Sequence, residues 1–204
     1  MAEELDRLAG DIARCRACVE APSGKPLPHE PRPVVALSTT ARIAICGQAP
    51  GTRVHASGVP FSDPSGERLR DWMGIGPEVF YDASRIAIVP MGFCFPGLDA
   101  KGGDLPPRRE CAPLWRDRIF TLMPQIELVL AVGKYAQGYH LGDLANATVN
   151  DTVANWCSVL AARSNPRIIP LPHPSWRNNH WISRNHWFSN ELLPELKKQV
   201  RSLL

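Results

Sequence analysis

At 204 residues, 44% hydrophobic and 21% charged, the chain has the composition of one globular domain of ordinary size, which sets aside disordered and fibrous classes. Its longest apolar runs, such as residues 86–90 and 128–132, are far too short to cross a bilayer, and the acidic start Met1-Ala-Glu-Glu-Leu-Asp6 lacks the apolar core of a secretion signal, so a cytoplasmic protein away from membranes is expected. A net charge of +3 permits nucleic-acid binding without arguing for it.

In chain order, Leu5, Leu8 and Ile12 at helical spacing predict a helix over residues 2–15. It delivers Cys15 and Cys18, a C-x-x-C pair that reads as half of a metal or cluster site, although redox pairs share the spacing. Residues 21–41 are rich in proline and read as an irregular connection. Arg42-Ile-Ala-Ile-Cys-Gly47 is a short apolar run, a buried parallel strand feeding the loop Gly47-Gln-Ala-Pro-Gly51. A helix is expected over residues 65–74, then a second strand, Arg85-Ile-Ala-Ile-Val-Pro90. Cys94 and Cys111 frame a loop rich in proline and glycine, and a helix is expected over residues 108–123. Residues 126–133 form the third strand, followed by helical Lys134–Tyr139. The fourth strand, Arg167-Ile-Ile-Pro-Leu-Pro172, runs into His173-Pro-Ser175, and a last helix is expected over residues 189–203. Six cysteines in a cytosolic chain do not predict disulfides, and Cys46 and Cys157, in apolar surroundings, read as small buried hydrophobes.

Strands alternating with helices predict an α/β three-layer sandwich with a central four-stranded parallel sheet and helices on both faces, built as a single domain over residues 1–204. Ligands of such sheets bind beyond the carboxyl ends of the strands. Gln48, Cys94 and His173 all follow strands in this way. Arg53, Arg108, Arg109, Arg177 and Arg184 fall in segments that read as loops, where guanidinium planes suit phosphate as well as they suit a solvated surface.

Three motifs, Gly47-Gln-Ala-Pro-Gly51, Ser57-Gly-Val-Pro-Phe-Ser-Asp-Pro-Ser-Gly66 and His173-Pro-Ser175, resemble in order and spacing those of the uracil-DNA glycosylase superfamily. With the four-cysteine pattern they resemble its iron–sulfur branches, families four and five, from Cys15 to about Trp181. The resemblance implies a monomeric base-excision-repair enzyme that acts on DNA containing uracil and needs no obligate protein partner. It implies a [4Fe-4S] cluster on Cys15, Cys18, Cys94 and Cys111, with zinc as the other occupant such thiolates accept. Phe61 would be the platform on which the base stacks, with Gln48, Ala49 and Met91 around it, and His173 would donate to O2 as negative charge develops. Ser175, Trp176 and Arg177 would meet DNA, Trp176 or Arg177 filling the gap left by the flipped base, with Arg53 and Arg108 near phosphates. Trp176 reads equally as a cover for the core edge.

Three positions depart from the family pattern. Family four carries an acid where Gln48 stands, and family one an aspartate where Ala49 stands. Asp63 lies near the aspartate of family five's Phe-Thr-Gly-Asp segment, one gap aligning them, and that resemblance implies it as the carboxylate that orients water, with His55 as the runner-up base, although Asp63 also reads as the cap of the helix beginning near Ser65. The asparagine that family four uses to read the base falls on Pro90, which leaves that task to Gln48, Asp99 or the backbone around Met91 and Gly92. Two other functions fit parts of the pattern: a protein that binds uracil-DNA without turnover, and a redox protein that merely owns a cluster.

Overall fold

The four apolar runs form one all-parallel sheet in the computed structural model, which describes residues 1–162 and 164–204. The strands are β1 (Ile43–Cys46), β2 (Ile86–Ile88), β3 (Leu128–Val132) and β4 (Arg167–Leu171), in the order β2-β1-β3-β4. The helices are α1 (Ala2–Ala13), α2 (Ala17–Glu20), α3 (Thr52–Ser57), α4 (Pro64–Met73), α5 (Pro77–Phe80), α6 (Cys111–Leu122), α7 (Gly133–Leu141), α8 (Val149–Ala154), α9 (Trp156–Ala162), α10 (Asn179–Arg184) and α11 (Leu193–Arg201). A π-helical turn, Phe188–Leu192, leads directly into α11.

The register explains why every strand reads as a continuous apolar run. Ile43, Ile86 and Leu128 are aligned, as are Ala44, Ala87 and Val129, so each row of side chains crosses neighbouring strands on one face. One face is built from large residues. Ile43, Ile45, Ile86, Ile88, Leu128 and Leu130 pack there against Leu69, Trp72 and Met73 of α4 and Leu196 and Val200 of α11. The other face uses smaller ones: Ala44, Cys46, Ala87 and Ala131 receive α1 through Leu5, Leu8 and Ile12, and α6 through Ile119. β4 lies at the sheet edge, where Pro170 is tolerated although it has no N–H to give to a ladder. On the opposite edge Ala36, in the proline-rich segment, makes an antiparallel bridge to Ile88.

Helices α2, α3, α5, α8, α9 and α10 were not expected from the pattern. They are one or two turns long, too short to show a helical period in the sequence, and α8 among them starts at a side-chain cap, Thr148 Oγ1 accepting from Asp151 N at 3.1 Å. Cys157 corrects the sequence reading. In α9 the buried side is set by Val159, which turns Cys157 out to solvent, whereas Cys46 is fully buried in β1.

Arg116 of α6 is fully buried on the small-residue face. Its guanidinium donates to the carbonyls of Val89 (2.8 Å) and Pro90 (2.9 Å), meets His140 Nε2 at 2.5 Å, and lies against the rings of Phe120 and Tyr139. Carbonyl oxygens and ring faces thus offset a charge that would otherwise be costly at this depth, although its buried Nε has no hydrogen-bond partner among the described residues.

Phe188 stands edge-on to Trp72 with ring centroids 5.0 Å apart and is completely enclosed. Phe188→Ala should destabilise the fold by about 3–5 kcal/mol in urea titration, whereas Cys157→Ser should change stability by no more than about 0.5 kcal/mol. Equal losses at the two positions would contradict this packing.

Candidate functional site

The chain leaves β1 for β2 on one side and returns to β3 on the other, so the carboxyl ends of β1 and β3 mark the point where the winding reverses. A cleft of about 620 Å³ opens there. Gly47 to Gly51 follow β1, Pro90 follows β2, Gly133 and Lys134 follow β3, and His173, Ser175 and Arg177 follow β4. Phe61 forms the floor, Asp63 closes one wall, and Asp99 and Asp104 of the long loop after β2 close another.

Phe61 is the only described non-glycine residue with a left-handed backbone, at φ 54°. Such a conformation costs an aromatic residue about 1–3 kcal/mol and persists only where surrounding structure enforces it. Here the enforcement falls on its carbonyl oxygen. The Tyr81 hydroxyl donates to it at 3.1 Å and the Arg70 guanidinium at 3.5 Å. Gly66 of α4 lies so close that a Cβ there would stand 1.8 Å from the same oxygen. The ring packs edge-on against Phe80, 5.9 Å between centroids, and lies near Gly47. These contacts hold an aromatic ring at the floor of the cleft.

His173 projects from the turn after β4 into this space. Water reaches the ring from the open side, but the walls crowd the remaining sides, and crowding governs its titration: burial pushes the imidazole pKa below its ordinary value. Asp63 and Asp104 pull it upward and Arg177 pushes it down. The turn is braced from within by Asn178 Nδ2, which donates to the His173 carbonyl at 2.6 Å. It is also braced from α4 by Arg68, which donates to the Ser175 carbonyl at 2.9 Å and to Asn179 Oδ1 at 2.8 Å.

Asp63 has two roles in the described structure. It is the N-cap of α4, its Oδ1 accepting from Gly66 N at 3.0 Å ahead of Pro64, and it lines the cleft. Gln48 and Ala49 also line the cleft, but the Gln48 amide is committed, donating through Nε2 to the Leu105 carbonyl at 2.9 Å. Ser175 and Arg177 line the opposite side. Trp176, between them, is 73% exposed, the most open large apolar side chain among the described residues, so it does not cover the core edge. Arg53 is exposed on α3, outside the cleft lining.

Three residues lie elsewhere than the sequence reading placed them. His55 faces away from the cleft and packs on His29, 4.2 Å between centroids, and on Phe95, because α3 turns that face toward the proline-rich segment. Met91 is buried in the core. The N–H groups of Met91 and Gly92 are spent on the carbonyls of Gly47 and Gln48, at 2.8 and 2.9 Å, leaving neither to read a base edge. Arg108 is largely enclosed, donating to the Lys25 carbonyl and pairing with Glu110 at 3.1 Å, so it is no free phosphate contact.

Arg108 instead lines a second, smaller pocket together with Cys15, Cys18, Cys94 and Cys111. All four are free thiols, and Phe93 N donates to Cys111 Sγ at 3.3 Å. Burial pushes the Cys94 and Cys111 thiols up to about 12, and the neighbouring cysteines add to the rise. The thiols share a pocket, and among the described residues no three His, Cys, Asp or Glu side chains form a group that would hold a metal ion.

Asp104, Arg68 and Tyr81 carry parts of this site that the sequence did not single out. Asp104 sits in the Gly102-Gly103-Asp104 turn of a long loop, where nothing in the pattern separates it from Asp99. Arg68 and Tyr81 act on backbone carbonyls, which leaves no motif.

The electrostatics of the cleft are open to a direct test. By proton NMR the His173 ring should titrate below 6.5, Asp63→Asn should lower its midpoint further, and Arg177→Gln should raise it. Because the folded ring resists protonation more than the unfolded one, its contribution to stability is full above pH 6.5 and is lost as pH falls below that value. A midpoint above 6.5 contradicts the crowding described here.

No helix among the described residues is long and apolar enough to cross a membrane. The Gly47–Gly51 loop, the aromatic floor at Phe61 and the histidine turn at 173–175 all lie within residues 35–197, and over that span the chain matches the family model of the uracil DNA glycosylase superfamily. The chain belongs to that superfamily.

Proposed function

We propose that this protein flips uracil out of DNA and hydrolyses its N-glycosidic bond as the first step of base-excision repair. The observation that carries the reading is the convergence of Phe61, the Gly47–Gly51 loop and His173 on one cleft at the carboxyl ends of the strands. A pyrimidine leaves its sugar as an anion while the sugar becomes oxocarbenium-like. The cleft therefore has to hold the base flat, stabilise charge at O2 and admit a water molecule. Phe61 offers a face for stacking, worth about 1–3 kcal/mol per base. His173, kept neutral by its surroundings, donates an N–H toward O2 without carrying a full charge of its own, and such a fixed donor acts mainly on the transition state. Trp176 and Arg177, on the exposed turn beside the cleft, are placed to enter the space the base vacates, with Arg177 Cζ 6.0 Å from the Trp176 ring centre.

We propose that the four-thiol pocket holds an iron–sulfur cluster rather than a single ion, the occupant that its cysteine pattern implies by resemblance. A lone tetrahedral metal needs its donors gathered at one point, whereas a [4Fe-4S] cluster takes one thiolate at each of four separate irons. A sulfur-only donor set around one pocket, with a backbone N–H already directed at Cys111 Sγ, suits the second arrangement. Such a group supplies structure: it would tie the segment after α1 to the start of α6.

Purified protein should release free uracil from a uracil-containing oligonucleotide, and His173→Ala should slow release by about 10²- to 10³-fold while leaving the fold intact. Binding with no free base would instead favour a uracil-DNA binder without turnover. The protein should also contain iron and acid-labile sulfide, both lost in Cys94→Ser/Cys111→Ser. Zinc alone in the fresh protein would rule the cluster out.

A further inference from the structure

Hydrolysis in this cleft needs a group that takes a proton from the attacking water, and the Gly47–Gly51 loop contains no carboxylate. Gln48 cannot take a proton and is occupied by the Leu105 carbonyl. Asp99 lines the cleft but folds back on its own loop, Oδ1 accepting from Lys101 N at 2.8 Å and Gly103 N at 2.9 Å. Asp63 has one oxygen engaged as the cap of α4. His55 lies outside the lining.

Asp104 remains. Its carboxylate lines the cleft and makes no hydrogen bond to the described residues. Its Oδ2 rests over the Gly47–Gly51 loop, 3.4 Å from where a Cβ on Gly51 would stand. The backbone that carries it is fixed. Leu98 and Asp104 form an antiparallel bridge, flanked by Asp99 N to Gly103 O at 2.7 Å and Leu105 N to Gly97 O at 2.9 Å. The Gln48 amide clamps the next residue through the Leu105 carbonyl. The glutamine at the head of the cleft loop thus holds a carboxylate from elsewhere in the chain over that same loop.

We infer that Asp104 is the catalytic base of this cleft, a role that rests on the glycosylase reading above. The water oxygen bonds to C1′ as the C1′–N1 bond breaks. The bonding pair leaves with the base, and the water proton passes to the Asp104 carboxylate and from there to solvent, while the departed base anion takes a proton from solvent. The groups facing Asp104 are His173 and Arg177 from the turn after β4 and Asp63 from the start of α4. Partial burial raises the Asp104 carboxyl above its ordinary range, Asp63 adds to the rise, and His173 and Arg177 oppose it. The raised carboxylate holds a proton more readily than an ordinary exposed one, which suits a base.

The test is single-turnover uracil release across a pH series by wild type, Asp104→Asn, Asp104→Glu and Asp63→Asn, with binding to an uncleavable uridine analogue in DNA measured in parallel. Asp104→Asn should slow release by about 10²- to 10⁴-fold, with binding no weaker than wild type. The wild-type rate should fall as pH drops through the Asp104 ionisation. That acid limb should disappear in Asp104→Asn, reappear with Asp104→Glu and survive in Asp63→Asn. Release by Asp104→Asn within about threefold of wild type, or an acid limb that persists in it, overturns the assignment while leaving the glycosylase reading intact. Wild type that releases neither uracil nor hypoxanthine nor xanthine overturns that reading and this assignment together.

Discussion

The carbonyl oxygen of Phe61 is the point on which the cleft depends. Left to itself, an aromatic residue abandons a left-handed backbone, and the ring would swing with it. Two donors, from Tyr81 and Arg70, and the absence of a side chain on Gly66 keep that oxygen where it is. Those donors are themselves anchored: Arg70 belongs to α4, whose Leu69, Trp72 and Met73 are sunk into the large-residue face of the sheet, and Tyr81 follows Phe80, which is fully buried. The strain at one residue is therefore borne by the core, and the cleft receives a ring that cannot drift.

The second organising feature is the division of charge among side chains that differ mainly in surroundings. Asp63 is drawn into a helix cap, Asp99 closes its own turn, and Asp104 is left with unused acceptor capacity. His173, between acids on one side and Arg177 on the other, keeps a depressed pKa because crowding outweighs the acids. Similar carboxylates thus do different things because the backbone satisfies some and not others.

The sheet was legible in the sequence because strands buried on both faces must be apolar at every position, and the runs at 42–47, 85–90, 126–133 and 167–172 have that character. The cleft was legible for the same reason: polar residues such as Gln48 and His173 stand out immediately after such runs. What the sequence did not reveal depends on partners distant in the chain. Arg108 looks like a surface cation until Glu110 and the Lys25 carbonyl enclose it. Met91 and Gly92 offer backbone donors until the Gly47 and Gln48 carbonyls take them. His55 stands near the motif loop in sequence, yet one turn of α3 carries it to the far side. Cys157 reads as buried because its neighbours are apolar, and only helical phase shows that it faces water.

Arg116 links the two ends of the molecule that matter for chemistry. Helix α6 begins at Cys111, on the rim of the thiol pocket, and little more than a turn later Arg116 grips the Val89 and Pro90 carbonyls, where β2 becomes the wall of the cleft. A rigid strut with one foot among sulfurs and its fist around the wall's backbone transmits displacement mechanically. The thiol pocket and the cleft wall are thus coupled through a single side chain, because the helix that starts among the cysteines ends its reach on the backbone that leads into the cleft.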